Sequence, residues 1–499
     1  MVLDAGAAYL AVRSRDARFD GRLYVGVTST GVYCRPICRV RTPRRENCRF
    51  FRSAAEAEAE RFRPCLKCRP EVAPGAPLAW SVMDASKTLA LQAAALLDAI
   101  AHENDAAAPL AGIAARLGVS ERHVRRIFVA EHGIAPLQYL QTRRLLLAKQ
   151  LLTDSTLPVT QVAAASGFRS LRRFNAAFAE RYRLAPSRLR REAKRAGDAE
   201  PHDSVALTLA FRPPLDVQGL LAFFAQRAIP GVEVVDPSSL AIRRSVRAGV
   251  LGPRACWIEA RFVPERCQVR LCLAASLASR PGQALHAVRR WFDLDAAPDA
   301  IDTALHPLLP STSAGTRIPG ALDGFELAAR AVLGQRVTVA GARTLAQRLV
   351  ERFGAVTRAP WPDVARAFPA PERLVSARAQ SIGELGILRV QVDALQALAL
   401  AWPELDAIAG APRGVEERAR ALIDALCRLR GVGAWTAHYI AMRWLGWNDA
   451  FPPGDVAVLK ALGLEQGNAG VRGAEALSQA WRPWRAYAVL RLWNGAIPS

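Results

Sequence analysis

Gly31-Val-Tyr-Cys-Arg-Pro-Ile-Cys and, further along, Phe62-Arg-Pro-Cys-Leu-Lys-Cys-Arg-Pro decide how the amino-terminal part of this chain folds. The first stretch sets Cys34 and Cys38 in a Cys-x3-Cys pair, and the second sets Cys65 and Cys68 in a Cys-x2-Cys pair. Two such pairs close a tetrahedral thiolate shell around zinc. Arg35, Arg39, Arg41, Arg44, Arg45, Arg63, Lys67 and Arg69 crowd the pairs. They are expected to offset the formal negative charge of a four-thiolate zinc centre and to face phosphate. Two roles are open at this point. The cluster is either a structural zinc knob on a DNA-binding protein, or it also presents a nucleophile. The second role is chemically accessible because thiolate attacks electrophiles and metal binding keeps sulfur deprotonated at neutral pH.

A length of 499 residues accommodates three or four domains with real hydrophobic cores. The formal net charge is +22, which points to a polyanionic partner. Residues 1–200 carry 33 Lys/Arg against 19 Asp/Glu, and the remainder 34 against 26, so the basic excess sits mainly in the first two-fifths. Nucleic acid explains that gradient better than a solvated basic surface does. Cys48, Cys256, Cys267, Cys272 and Cys427 show no metal spacing, and nine cysteines is an odd number. A disulfide framework is therefore not expected. The start lacks a signal pattern and no window of about 18 residues is uninterruptedly apolar. A cytoplasmic protein without a membrane partner is expected.

Past a Pro/Gly-rich stretch at 72–77, residues from about Leu89 to Arg191 read as nearly all helix, with two units of similar pattern. One runs from Leu110 to Ser120 and continues as Glu121-Arg-His-Val-Arg-Arg-Ile-Phe. The other runs from Val159 to Phe168 and continues as Ser170-Leu-Arg-Arg-Phe-Asn-Ala-Ala-Phe. Each is an apolar-stripe helix, a turn bearing Gly118 or Gly167, and an arginine-rich helix that Ser120 or Ser170 can cap. That is helix-turn-helix patterning, in which the second helix enters the major groove. Arg122, His123, Arg125 and Arg126 in one unit, and Arg169, Arg172 and Arg173 in the other, are the candidate DNA contacts. A charged, polar link is expected around 195–204.

Beyond it, period-two alternation in Val205–Phe211, Leu240–Val246, Cys256–Val263 and Cys267–Leu273 predicts antiparallel strands, with helices at Val217–Arg227 and Gln283–Phe292. No catalytic constellation accompanies them. After about Ile301 the pattern is helical. There Leu429-Arg-Gly-Val-Gly-Ala-Trp-Thr-Ala reads as a glycine hairpin between two helices, where Gly431 and Gly433 let backbone N–H groups approach a phosphate. Phe451-Pro-Pro-Gly-Asp-Val-Ala-Val-Leu-Lys follows, and Asp455 reads as the N-cap of a helix beginning at Val456. A carboxylate at a helix N-terminus stays ionised and can stabilise a developing cationic sugar.

These motifs carry three resemblances. Phe19-Asp-Gly-Arg, the two cysteine stretches and Arg41-Thr-Pro-Arg-Arg-Glu-Asn closely resemble the zinc domain of the Ada methylation-response family. In that family the first cysteine of the first pair takes a methyl group irreversibly from a methylphosphotriester. The resemblance implies Cys34 as acceptor, with Cys34, Cys38, Cys65 and Cys68 holding zinc. The block ending Phe178-Ala-Glu-Arg-Tyr-Arg-Leu-Ala-Pro-Ser-Arg-Leu-Arg-Arg resembles the AraC-type double helix-turn-helix domain. From about Val205 onward the chain resembles the AlkA-type, helix-hairpin-helix DNA glycosylases. Further matches there are Phe325-Glu-Leu-Ala-Ala-Arg-Ala-Val-Leu-Gly-Gln, Tyr439 with Ile440-Ala-Met-Arg, and the run from Trp481 to Trp493. By that resemblance Asp455 is the catalytic carboxylate and Trp435, Tyr439 and Trp493 line an electron-rich pocket suited to a cationic purine. Trp484 and Tyr487 read as core. Arg336 occupies the position of the side chain inserted into the DNA stack, commonly Leu or Gln in the family, and Arg430 stands where proline is usual. Trp435 stands where bifunctional relatives carry a lyase lysine, and no cysteine follows Cys427 for an iron–sulfur cluster. A Pro-Cys-His-Arg motif, the acceptor site of Ada's usual alkylguanine-transferase domain, is absent.

The expected fold is multidomain and mainly α. It comprises a small zinc-bound α/β domain at 1–75, an all-α double helix-turn-helix domain at 88–193, an α+β antiparallel-sheet subdomain at 205–305 and an all-α helix-hairpin-helix glycosylase domain at 306–499. The implied function is DNA alkylation repair joined to adaptive-response regulation. A monofunctional glycosylase, a hydrolase of the DNA-3-methyladenine glycosylase II type, would remove alkylated bases such as 3-methyladenine and 7-methylguanine. Stoichiometric methyl transfer to Cys34 would accompany sequence-specific transcription regulation. Implied partners are double-stranded DNA, both alkylated and promoter, and RNA polymerase, with the chain a monomer and zinc its cofactor. The alternative is a methylation-responsive transcription regulator whose glycosylase half is a non-catalytic DNA clamp.

Overall fold

The computed structural model describes residues 4–75, 85–101, 109–194, 204–309, 314–411 and 413–496. The polar link expected around 195–204 lies outside these residues save for Ser204, as does the end of the Pro/Gly stretch at 76–77. The chain divides into two compact units, residues 1–213 with 265–286, and residues 214–264 with 287–499. The stretch 205–305 contributes to both. Among the described residues no helix is long and apolar enough to cross a membrane.

In the first unit the four cysteines sit on a small sheet with strand order Cys48–Phe51, Tyr24–Val27, Val32–Cys34, Arg63–Pro64. The last two strands run parallel, with Tyr33 opposite Pro64. Cys34 ends one strand and Cys65 directly follows the other, and Cys65 N–H donates to the Tyr33 carbonyl at 3.0 Å. The register of two short strands thus sets one cysteine of each pair side by side.

Among the described residues seven helices follow: Ala85–Ile100, Pro109–Leu117, Glu121–His132, Pro136–Asp154, Val159–Ala165, Leu171–Tyr182 and Pro186–Lys194. Ser120 accepts from His123 N–H at 3.2 Å and Ser170 from Arg173 N–H at 3.4 Å. These are the caps that the sequence places at the start of each arginine-rich helix. The turns before them carry Gly118 at φ +67° and Gly167 at φ +78°, backbone that side chains with a Cβ resist. Val124, Ile127 and Phe128 on one arginine-rich helix, and Phe174, Phe178 and Tyr182 on the other, are buried. The opposite faces stay free for arginine. Strands Ser204–Ala210 and Gln268–Ala274 pair antiparallel, with Val205, Leu207 and Leu209 opposite Leu273, Leu271 and Val269, all buried.

In the second unit Glu233–Asp236, Ala241–Val246 and Cys256–Val263 form an antiparallel meander. The first of these strands was not legible in the sequence, being short and mostly half-buried. Among the described residues the other regular structure of this unit is helical apart from a two-residue pairing of Ala355–Val356 with Arg366–Ala367. Helix Val217–Arg227 stands where it was expected, capped by Asp216. One core runs through helices Gly324–Leu333, Arg389–Ala409, Val415–Cys427, Ala434–Leu445 and Arg485–Ala496. It includes the fully buried Phe325, Leu398, Leu422, Ile440 and Val489. Tyr487 is buried there, donating to Asp293 Oδ2 at 2.7 Å, and Trp484 packs against the same core. Both are core, as the sequence reading holds.

Candidate functional site

The sulfurs of Cys34, Cys38, Cys65 and Cys68 all lie within 4.8 Å of one another. A zinc–sulfur bond of about 2.3 Å in a tetrahedron sets sulfurs roughly 3.8 Å apart, so the donor set and its span fit zinc. Arg35 N–H approaches Cys68 Sγ at 3.4 Å, an outer contact that orients the sulfur. The Arg35 side chain does not face outward as the sequence suggested. It is buried against Asp20, with Nε donating at 2.7 Å, and its NH1 donates to the Cys68 carbonyl at 3.0 Å. Arg69 is likewise turned inward, paired with Glu71 at 3.0 Å and Asp154 at 2.6 Å. Arg39, Arg41, Arg44, Arg45 and Lys67 are exposed. Cys34, Cys38 and Cys65 are buried and Cys68 is half-buried, so exposure does not single out Cys34.

The zinc module is tied to the helices behind it by buried charge. Lys149 Nζ lies 2.5 Å from Glu71 Oε2 with both side chains inaccessible. Burial alone would raise the Glu71 carboxyl, but Lys149 and Arg69 hold it below its ordinary range. Glu58 Oε1 accepts from Tyr33, the neighbour of Cys34, at 3.0 Å. Its Oε2 accepts from Thr142 at 3.1 Å and Arg181 at 3.4 Å. Arg181 belongs to the second arginine-rich helix. Burial raises the Glu58 carboxyl to about 7, against the pull of Arg181 and the hydroxyl donors. A carboxyl raised on folding stabilises the native state below its unfolded value and loses that contribution as pH rises through about 7. Denaturation midpoints are therefore expected to fall between about pH 4.5 and 7, and Glu58→Gln should flatten that part of the curve. Parallel wild-type and variant curves would contradict it.

On the helix-turn-helix face, Arg122, Arg125, Arg126, Arg169, Arg172 and Arg173 are all exposed. Arg125 pairs with Glu121 at 3.3 Å and Arg126 NH2 meets His123 Nδ1 at 3.1 Å. Both contacts lie along the surface of one helix.

In the second unit, helices Val415–Cys427 and Ala434–Leu445 flank the hairpin. Gly431 has φ +88°, and a Cβ there would lie 2.8 Å from the Ala394 methyl, so only glycine fits. Gly433 is the exposed N-cap of the second helix, with nothing near the place a Cβ would occupy. Asp455 is buried and caps helix Val456–Ala461, Oδ1 accepting from Val458 N–H at 2.9 Å. Trp435 Nε1 donates to its Oδ2 at 2.7 Å and Trp493 Nε1 to its Oδ1 at 3.0 Å. The Tyr439 ring stacks on Trp435 with centroids 5.1 Å apart and planes 11° apart, and stands 6.2 Å from Trp493. The four residues named from the sequence as acid and pocket converge.

Arg336 is exposed at φ +60°, unusual for a residue with a Cβ. The root of its loop is clasped by Gln391 Nε2, which donates to the Leu333 and Gln335 carbonyls, both at 3.2 Å. Gln335 Nε2 donates in turn to the Gly431 carbonyl at 2.9 Å and Thr436 Oγ1 at 3.2 Å. Gln335, Gln391 and Arg443, whose NH1 donates to the Tyr439 hydroxyl at 2.5 Å, were not picked out from sequence. Arg443 was within reach, lying one helical turn after Tyr439. Gln391 was not, because its partners are distant in sequence.

Comparison with known proteins agrees with this layout. The metal binding domain of Ada matches residues 7–71, a helix-turn-helix domain residues 113–192 and the AlkA N-terminal domain residues 206–323. The chain is 36% identical to the "Probable bifunctional transcriptional activator/DNA repair enzyme AlkA" of Mycobacterium tuberculosis, over 98% of this chain and 96% of that protein. It is 33% identical to DNA-3-methyladenine glycosylase 2 of Escherichia coli, over 57% of this chain and 96% of the relative. Over 27% of this chain and 34% of the relative it is 34% identical to the bifunctional transcriptional activator/DNA repair enzyme Ada of Escherichia coli. The four-cysteine cluster is a zinc site. Near-stoichiometric zinc is expected by elemental analysis, and Cys38→Ala should unfold residues up to about Pro70, read by limited proteolysis. Metal-free protein with an equally protease-resistant amino terminus would contradict it. An Ada-type metal-binding domain, a helix-turn-helix domain and an AlkA-type domain stand in order on one polypeptide, and the chain belongs to the family of Ada–AlkA fusion proteins.

Proposed function

We propose that the chain is a DNA alkylation repair enzyme and methylation-responsive transcription regulator in which the carboxyl half is a monofunctional alkylated-base glycosylase. The observation that carries this reading is the Asp455 carboxylate, buried and held between the indole N–H groups of Trp435 and Trp493. A base everted from duplex DNA would meet the rings of Trp435, Tyr439 and Trp493 while its sugar meets the carboxylate. Cleavage sends the electron pair of the N-glycosidic bond to the base, a good leaving group when N-alkylation has made it cationic. Asp455 stabilises the oxocarbenium-like sugar and guides a water to it, leaving an abasic sugar and free base. The hairpin N–H groups at Gly431 and Gly433 would bind phosphate, and Arg336 would fill the space the base leaves. Trp435 stands where a lyase lysine would, so the product strand should stay intact. A borohydride-trapped covalent adduct would refute that part of the reading.

In the amino half, bound zinc keeps the cysteine sulfurs deprotonated. The Cys34 thiolate would attack the methyl carbon of a methylphosphotriester. A sulfur–carbon bond forms, the carbon–oxygen bond breaks, and the electron pair stays on oxygen as an ordinary phosphodiester. The six exposed arginines of the helix-turn-helix face support promoter binding. The domain limits at 75, 88–193, 205–305 and 306 onward belong to the same reading, as do a monomeric state and RNA polymerase as partner. Release of free methylated base from methylated DNA, read by chromatography, tests the enzyme half.

A further inference from the structure

Residues 334–338 join helices Gly324–Leu333 and Val339–Phe353, and Arg336 stands exposed in their middle at φ +60°. A side chain with a Cβ keeps that backbone only where its neighbours hold it. Gln391, buried near the start of helix Arg389–Ala409, holds one end. Its Nε2 donates to the Val332, Leu333 and Gln335 carbonyls at 3.3, 3.2 and 3.2 Å, and its Oε1 accepts from Leu388 N–H at 3.3 Å. Gln335 itself is half-buried, and its Nε2 spends both hydrogens on protein, donating to the Gly431 carbonyl at 2.9 Å and Thr436 Oγ1 at 3.2 Å. The Gly431–Val432 peptide is thereby held from two sides, because its N–H donates to the Leu429 carbonyl at 3.1 Å. On either side of that peptide lie Gly431 and Gly433, whose N–H groups are the ones assigned to phosphate. Thr436 directly follows Trp435, the donor to Asp455 Oδ2. One side chain, next to Arg336 in the chain, thus ties the hairpin and the turn that bears Trp435.

Resting on the glycosylase reading above, we propose that Gln335 is a positioning residue that couples the grip of the hairpin on a DNA phosphate to the entry of Arg336 into the duplex. A nucleotide leaves the stack by rotating about its backbone. A phosphate held by the protein is then the pivot, and the side chain that fills the gap has to stand at a fixed reach from it. Chain connectivity does not set that reach, since Gln335 and Gly431 lie 96 positions apart. The amide bridge does. A hairpin seated on phosphate holds Gln335, and Gln335 fixes the backbone on which Arg336 stands. Thr436 Oγ1 sets the same amide against the turn of Trp435, so pivot, filler and pocket wall share one frame. Without the amide, the hairpin and the Arg336 turn would each still touch DNA, but independently. The loss then falls on eversion, which needs the mutual geometry, and not on binding.

The test is a double-mutant cycle on the full zinc-loaded chain. Eversion is read by the fluorescence of 2-aminopurine placed beside 7-methylguanine in a duplex, which rises on unstacking whether or not a base is released. Binding is followed separately by anisotropy. Gln335→Leu fills the space and removes both donors. It should lower the eversion equilibrium about tenfold and leave the affinity for undamaged duplex unchanged. Arg336→Ala should lower eversion equally, and the double variant should lose no more than either single one, because Gln335 acts through Arg336. If Gln335→Leu does not fold, Gln335→Glu takes its place in the cycle, keeping size and polarity but setting a carboxylate against the Gly431 carbonyl. Losses that multiply in the double variant, or a single variant that everts like the wild type, would overturn the proposal. Wild-type protein that raises the emission and releases no base would refute the glycosylase reading and leave the coupling standing. Wild-type protein that does not raise it would sink the coupling.

Discussion

Asp455→Asn is expected to slow base excision by about 10²–10³-fold while binding of alkylated DNA survives. Asp455 makes three hydrogen bonds, from Val458 N–H, Trp435 Nε1 and Trp493 Nε1. All three donors leave its charge in place and aim it, so on the proposed reading the carboxylate would reach the transition state already oriented. An asparagine carbonyl can still cap the helix. Its amide N–H group then faces an indole N–H, two donors with nothing to share, and the negative charge is gone. Binding should persist because the hairpin, the aromatic rings and the basic surface are untouched. Single-turnover excision assays separate the two effects, and wild-type-like rates in Asp455→Asn would refute the catalytic role.

Cys34→Ser should reduce methyl transfer from phosphotriesters from one methyl per chain to none. On the proposed reading, methylation of the wild type would turn an anionic thiolate into a neutral thioether and remove one negative charge from the zinc site. Promoter affinity should rise, and the effect should weaken with added salt, as expected for a change in phosphate attraction. Cys68 is the half-buried sulfur of the cluster and the natural competitor for the acceptor role. Mass spectrometry of the cysteine peptides decides between them, and label on Cys68 or Cys65 would overturn the assignment to Cys34.

Much of this was legible because the decisive signals are local. Cys-x3-Cys and Cys-x2-Cys spacing, the glycine turns before Ser120 and Ser170, and the Pro-Pro-Gly-Asp turn each need only a few adjacent residues to state a geometry. The structure brings the four cysteines together and hangs Asp455 between the two tryptophans that the resemblance named. What sequence could not supply is long-range polar wiring. Arg35 looked like a phosphate contact because it neighbours Cys34, and only the fold reveals Asp20 as its buried partner. Gln391 holds the loop of Arg336 through backbone carbonyls more than 50 positions away, with no periodicity to announce it. Glu58 lies on the short helix Ala54–Ala59, and only the fold brings Tyr33, Thr142 and Arg181 over it.

Whether one chain repairs bases as well as sensing methylation is decided by chromatography of the supernatant after the full chain is incubated with methylated DNA. Free 3-methyladenine and 7-methylguanine are expected with the wild type and almost none with Asp455→Asn at equal DNA binding. Wild-type protein that binds the methylated DNA and releases no base would contradict it, and would leave the carboxyl half a non-catalytic clamp.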